Sequence, residues 1–567
     1  MSDLIWHFDE LTRFTKWDDA EVRHWAIDRL IRHYPTRCCD VIADYVLDEH
    51  ESTPTMVARH LGRHGDASHH GVLARAFRLL RGVAPGHCLQ ALARLGYPGT
   101  VDLAASASKR TDLTDPALAT VVEALAELGT PDARDLARDL VHRKTELLSE
   151  PPALRGILGV IGADEIPELL SRFLTALQWR GNGRAGDGFR TLMDALQIDD
   201  AAWCFRTGPS GRIELRKTIK AVESGYDCDI LETVSEQRIR QVSRSFRSGD
   251  LDEAVRSVAD WTRESIESLP EDPEDDLPAR IAAAVGALSD PGSLQDVRRP
   301  GHHLQQWIVG FQLSAVFAVA RYRNMALSLK RARGNLERLL SLAEVETAFV
   351  LPELPSAIAV VCRDNDERTR RAQDWCLRML EAQGPFFPKV VALETLGELR
   401  AVHFTPEIVE YLSDENSYVY GAAERVLSKM GDAIVGPVRS RLEAGAVDPE
   451  AAHSLLILLC DLGTRGAYET AVTHLDWFME EIGPGASAEW ICLFGSEELI
   501  EPLRDWLDED PAMVGQALLL LGAIHNVRIP EEEEILQAIE NERARQAMDT
   551  DDGHADGPEH EGGDYVM

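Results

Sequence analysis

Apolar side chains recur at helical spacing through most of this chain, and the helices they predict come in pairs. The stretch ALAELGTPDARDLARDL, Ala124 to Leu140, shows the unit. Val121, Leu125 and Leu128 line one side of a first helix. Leu136 and Leu140, four residues apart, share a face of a second. Between the two, Gly129 suits a left-handed helix end because it has no Cβ to clash there. Thr130 is placed to cap the next helix and Pro131 to open it. Asp132 and Asp135 add negative charge near the positive end of that helix.

The same pattern stands one repeat earlier, as ALARLGYPGTVDLAASA from Ala91 to Ala107. Gly62, Gly96, Gly129 and Gly162 are separated by 34, 33 and 33 residues. Gly397, Gly431, Gly463, Gly495 and Gly522 are separated by 34, 32, 32 and 27. A period held twice in this way predicts stacked helical hairpins, each glycine ending a first helix. One hairpin leaves apolar faces uncovered, and stacking on like neighbours covers them, so the expected fold class is an all-α solenoid. Aromatic residues make up only 6% of the chain, which suits helices packed through small side chains.

DDAEVRHWAIDRL (Asp18 to Leu30), SDENSYVYGAAERVLSKMG (Ser413 to Gly431) and LDEDPAMVGQALLLLG (Leu507 to Gly522) share an acidic turn followed by a β-branched residue, Ala, Leu and Gly at helical spacing. This pattern resembles HEAT repeats, in particular the short bacterial type also called phycobilisome-lyase-like. The resemblance covers roughly residues 14–177 and 350–530. It implies a right-handed superhelix of hairpins with an irregular helical middle region. It specifies architecture more than activity, since one fold hosts many functions.

The expected organisation has four parts. Residues 1–177 form an N-terminal repeat array and 350–545 a C-terminal one. Residues 178–349 break the rhythm: a glycine-rich loop (QWRGNGRAGDGFR, Gln178 to Arg190), an acidic proline-rich loop (PEDPEDDLP, Pro270 to Pro278), and long helical segments after His302. Residues 546–567 are expected to be a disordered acidic tail, poor in apolar groups.

Charge narrows the partner classes. The net charge is −36, and residues 350–567 carry 43 acidic against 16 basic side chains. Such a surface repels nucleic acid and anionic membranes and favours a protein partner with a basic face. The most apolar run, Trp307 to Ala320, is too short to span a bilayer, so no membrane insertion is expected. The nine cysteines are odd in number, with no CxxC pair, and the start MSDLIWHFDE lacks the character of a signal peptide. Both fit a reduced, cytoplasmic setting.

Few residues suggest chemistry. GNGRAG, Gly181 to Gly186, matches the dinucleotide fingerprint but follows an apparent helix instead of a strand, so it reads as a surface loop. His60 and His64 can share a helical face, with His50, His69 and His70 nearby, yet no carboxylate or thiolate completes a metal-ligand spacing. These histidines read as a solvated repeat edge, and the adjacent Cys38 and Cys39 as packing groups. Arg321, Arg323, Lys330, Arg331, Arg333 and Arg338 form a basic helical stretch that reads first as a solvated face. Deoxyhypusine hydroxylases resemble these repeats but place His-Glu pairs on successive helices; here only His50-Glu51 and His560-Glu561 occur. No catalytic, cofactor or metal residue is assigned.

The reading is a non-enzymatic protein-binding scaffold that uses the concave face of a HEAT-like solenoid. Two alternatives stay open. One is an enzyme or enzyme accessory of the lyase or metal-hydroxylase kind seen on related repeats. The other is nucleic-acid binding through the basic helix near 321–338.

Overall fold

The computed structural model describes residues 4–180, 277–289, 334–344, 353–382 and 386–552, with a few short positions between them. These residues form α- and 3-10 helices, with two isolated β-bridges and no strand. The fold class is an all-α solenoid. The chain forms two compact units, one of Pro35–Leu399 and one of Met1–Tyr34 with Arg400–Met567. The repeat pattern assigned residues 1–34 to the N-terminal array; in the structure they belong with the C-terminal repeats.

In the first of these units, four helices stack in a row: Thr53–His64, Ala84–Arg94, Asp115–Leu128 and Pro151–Val160. The helices His70–Leu79, Thr100–Ala107, Pro131–Arg143 and Ile166–Arg180 alternate with them along the chain as a second row. The hairpin grammar holds at the middle turn. Gly129 is left-handed with φ +63°, Thr130 Oγ1 accepts the Ala133 N–H, and Pro131 begins the helix. The same Leu-Gly-Thr turn recurs at residues 462–464, where Gly463 is left-handed and Thr464 caps at Ala467.

The first-row helices approach closely because small residues face one another. A Cβ on Gly62 would lie 2.9 Å from Ala91 Cα. One on Gly86 would lie 2.7 Å from the Ala117 carbonyl, and one on Gly156 2.8 Å from Glu123 Cα. Above this dry contact runs a polar ladder. Gln90 Nε2 donates to Glu123 and Glu127 at 3.1 and 3.0 Å, Arg94 holds Glu127 by two bonds, and Arg155 reaches Glu123 at 3.2 Å. Neighbouring repeats are thus joined by apolar contact inside and paired charge outside.

In the C-terminal unit the first row is Ser417–Met430, Ala452–Leu462, Pro484–Ile491 and Met513–His525. Gly431, Gly463 and Gly495 follow the first three with positive φ. The expectation for Gly522 is corrected here: it lies within the last helix, and Asn526, at φ +54°, takes the left-handed position. Asn526 follows Gly495 by 31 residues, so the period is kept. Gly522 is a contact glycine, whose Cβ would meet the Val527 carbonyl at 2.8 Å. Gly62 and Gly397 also lie inside helices, and Gly162 has no positive φ. The last helix, Glu532–Asp552, runs past the boundary expected at 545; residues 553–567 lie outside the described ones.

Two glycines three residues apart separate packing from helix propensity. Gly156→Ala forces the helices Asp115–Leu128 and Pro151–Val160 apart and is expected to cost about 1–3 kcal/mol. Gly159 is exposed, in the same helix, with nothing near its missing Cβ. Gly159→Ala is expected to stabilise by about 0.5–1 kcal/mol. Denaturant unfolding of both variants checks the opposite signs.

Candidate functional site

The last carbonyls of a helix need donors from outside it. In the C-terminal unit several of these donors come from residues 4–34. The Ile5 N–H donates to the Gly463 carbonyl at 3.1 Å. Trp25 Nε1 donates to the Leu493 carbonyl at 3.0 Å and Trp6 Nε1 to the Phe494 carbonyl at 2.7 Å. Arg29 is only 2% exposed, and its Nη1 donates to the Cys460 carbonyl at 3.1 Å. A cation there also suits the negative end of the helix Ala452–Leu462.

The buried guanidinium is compensated. Asp28 accepts from Arg29 at 2.6 Å and from Arg32 at 3.1 Å, and Arg32 also binds Asp461. Burial works to raise the Asp28 carboxyl, but the charges and hydrogen bonds of Arg29 and Arg32 outweigh it and hold the group below its usual value. His33 lies against Gly463. Burial, with Arg29 and Arg32 adding repulsion against the pull of Asp28, pushes its imidazole down to about 4.

Trp6 and Trp25 begin an aromatic cluster. Their rings meet edge-on at 5.5 Å, Phe14 touches both at 5.4 and 5.7 Å, and Trp17 lies 5.5 Å beyond Phe14. Trp17 is the outer member, 39% exposed. Its position is fixed from both sides of the chain. Its N–H donates to the Phe14 carbonyl, while Arg23 Nη1 donates to the carbonyls of Trp17 and Asp18 at 2.9 and 2.8 Å.

Trp17 forms one wall of an open groove of about 900 Å³. Leu519, Ala523, Asn526, Val527 and Ile529 also line it, as does Leu536, which is 49% exposed. Its charged rim carries Asp18, Asp19 and Glu532 with Lys16 and Arg528. Asp19 is pinned by capping Val22, and the neighbouring Glu531 is held by Arg504 at 2.6 Å. The groove is therefore an open trough of mixed polar and apolar lining with one exposed aromatic ring. Sequence reading missed it. Its one signal was a tryptophan directly before the acidic helix start Asp18-Asp19, which looks like any solvated turn.

The histidines and cysteines that looked separate in sequence converge. Cys38 Sγ lies 3.4 Å from His60 Nε2. Both thiols and His60 Nε2 point at the Pro35 carbonyl, at 3.6, 3.5 and 2.6 Å. A carbonyl at that distance means that Nε2 carries its hydrogen and has no lone pair for a metal. Burial pushes the Cys38 thiol up to about 12, so it stays protonated at neutral pH. His60 and His64 do share a face, with rings 4.7 Å apart. The solvated edge is corrected for His60 and His69, which are buried; His64 alone of the five is exposed. His69 Nδ1 accepts the Asp66 N–H, leaving Nε2 toward Asp40 at 3.3 Å. His70 meets the Leu95 carbonyl at a helix end, and His50 Nδ1 accepts the Ser52 N–H. Among the described residues no group of three His, Cys, Asp or Glu is arranged to hold a metal ion.

Gly181–Gly186, the apolar run 307–320 and the basic residues 321–333 lie outside the described residues, as does His560-Glu561. Arg338 is described, exposed on the helix Leu336–Glu344. No described helix is long and apolar enough to cross a membrane.

No family model matches the chain, and no curated protein matches it. Among solved structures it is similar to Kap121p bound to Pho4p, at 11% identity over 89% of this chain and 59% of that one, with a TM-score of 0.28. It is likewise similar to the karyopherin Kap121p bound to the SUMO protease Ulp1p, at 10% identity over 88% and 58%, with a TM-score of 0.27. A homology model of the full-length AP-3 complex in an intermediate open conformation is similar at 12% identity over 94% and 89%, with a TM-score of 0.28. The chain spans less than two thirds of the Kap121p chains it matches.

The half-buried His33 gives the N-terminal attachment a pH dependence. Its pKa is about 4 in the folded chain and near 6.5 in the unfolded one. Below pH 6.5 the unfolded chain takes up a proton that the folded one refuses. Stability is therefore full above 6.5 and falls as the pH drops toward 4, by on the order of 2 kcal/mol. Urea midpoints across that window should fall less steeply for His33→Gln than for the parent chain.

Proposed function

We propose that this chain is a HEAT-type protein-binding scaffold, acting in the cytoplasm and taking a partner with a basic surface on its C-terminal unit. The observation that carries this reading is the groove at Trp17. An exposed aromatic ring packed against the half-buried Phe14 gives a binding anchor that loses little freedom on association. The packed helices beneath it supply a platform. The charge of the C-terminal region, 43 acidic against 16 basic residues from 350 to 567, supplies long-range attraction for a cationic partner.

The reading is tested by affinity capture from the extract of the producing cell at low and moderate salt. One dominant protein should be retained at low salt and released as salt rises. Replacing the exposed Glu407, Glu415 and Glu443 by Ser should weaken retention and flatten its salt dependence. Retention by the triple variant equal to that of the parent at low salt overturns the electrostatic part. A clean preparation that carries a metal or chromophore and no protein overturns the scaffold itself.

A further inference from the structure

The groove also limits what can occupy it. We infer that it receives a short basic segment of a partner protein, with one large apolar side chain entering between Trp17 and Leu536. This rests on the scaffold reading and adds the chemistry of the docked segment.

The lining comes from four stretches of chain: the turn before the helix Ala20–His33, the end of Met513–His525, the link 526–529, and the start of Glu532–Asp552. Its apolar members are Trp17, Leu519, Ala523, Val527, Ile529 and Leu536. Gly522 lets the Val527 carbonyl close over the helix end, where a Cβ would stand 2.8 Å away. The trough therefore has room for a side chain, and its rim carries carboxylates from two separate stretches of chain. Asp18 and Asp19 stand beside Trp17, and Glu532 stands beside Leu536, with Glu533 and Glu534 exposed on the same helix turn. Lys16 and Arg528 are the basic members of the rim. An anchored segment with Lys or Arg on either side of its apolar residue meets an acidic group in each direction. An acidic segment would instead approach the most acidic third of the chain. A nucleic acid would bring phosphates to the same carboxylates.

The test uses the full chain and a short fluorescent peptide of lysines around one phenylalanine, read by anisotropy. Two control peptides replace the phenylalanine by glycine or the lysines by glutamates. Both controls should bind at least about tenfold more weakly. Leu536→Glu is the decisive variant. Leu536 is half exposed, so folding is spared, and the change adds negative charge while removing an apolar wall. The groove predicts about tenfold weaker binding of the basic peptide. A surface that acts by charge alone would bind it as well or better. Arg528→Glu should strengthen binding severalfold. Trp17→Ala should lose it to the same degree as Leu536→Glu. Equal binding of the phenylalanine and glycine peptides, or unimpaired binding by Leu536→Glu, overturns the anchored apolar side chain, while capture of a native partner by the full chain judges the scaffold reading separately. No binding of any basic peptide at low salt also overturns the groove, and capture of a native partner then judges the scaffold separately.

Discussion

Every repeat in this chain is too small to cover its own apolar face, and that requirement organises the rest. In the stacked helices of residues 53–160 it is met by like neighbours. Gly62, Gly86 and Gly156 let successive helices touch backbone to backbone, so each helix becomes the wall of the next. On the outer surface part of the charge is paired between neighbouring helices, as in the Gln90, Arg94, Glu123, Glu127 and Arg155 ladder.

The C-terminal unit meets the same requirement differently. Residues 4–34 cover helix ends at Gly463 and Gly495, and they do so with unlike chemistry: two indoles, a guanidinium and a main-chain N–H. The bulk of the tryptophans explains why the turn residue at 495 must be small. A Cβ there would lie 2.2 Å from the Trp25 ring. The exposed Trp17 follows from this attachment. It is the end of an aromatic row whose other end is locked to main-chain carbonyls, so an apolar ring is held at the surface instead of collapsing inward.

Much of the fold was legible in the sequence because its rules are local. Gly129-Thr130-Pro131 announces a helix end, a cap and a start within three residues, and the structure places each of them as expected. Glycine, however, serves two purposes that look alike in a string of letters. Gly96, Gly129, Gly431, Gly463 and Gly495 are there for a left-handed turn, while Gly62 and Gly522 are there for close approach. Only the neighbouring helix tells them apart. The site was less legible for the same reason. Cys38 and His60 meet across 22 positions, Trp25 and Leu493 across 468. Neither pairing has a spacing that chemistry prescribes, so no pattern along the chain marks it.

The attachment of the first helices also sets a timetable. During synthesis Trp6, Trp25 and Arg29 emerge first, yet their acceptors lie 488, 468 and 431 residues later. At about 5–20 residues per second the ribosome delivers those acceptors some 20–100 s afterwards. Through that interval an aromatic cluster and a cation destined for burial stand without their partners, while the repeats of 35–180 can already stack. Residues 4–34 are therefore the segment whose contacts close last.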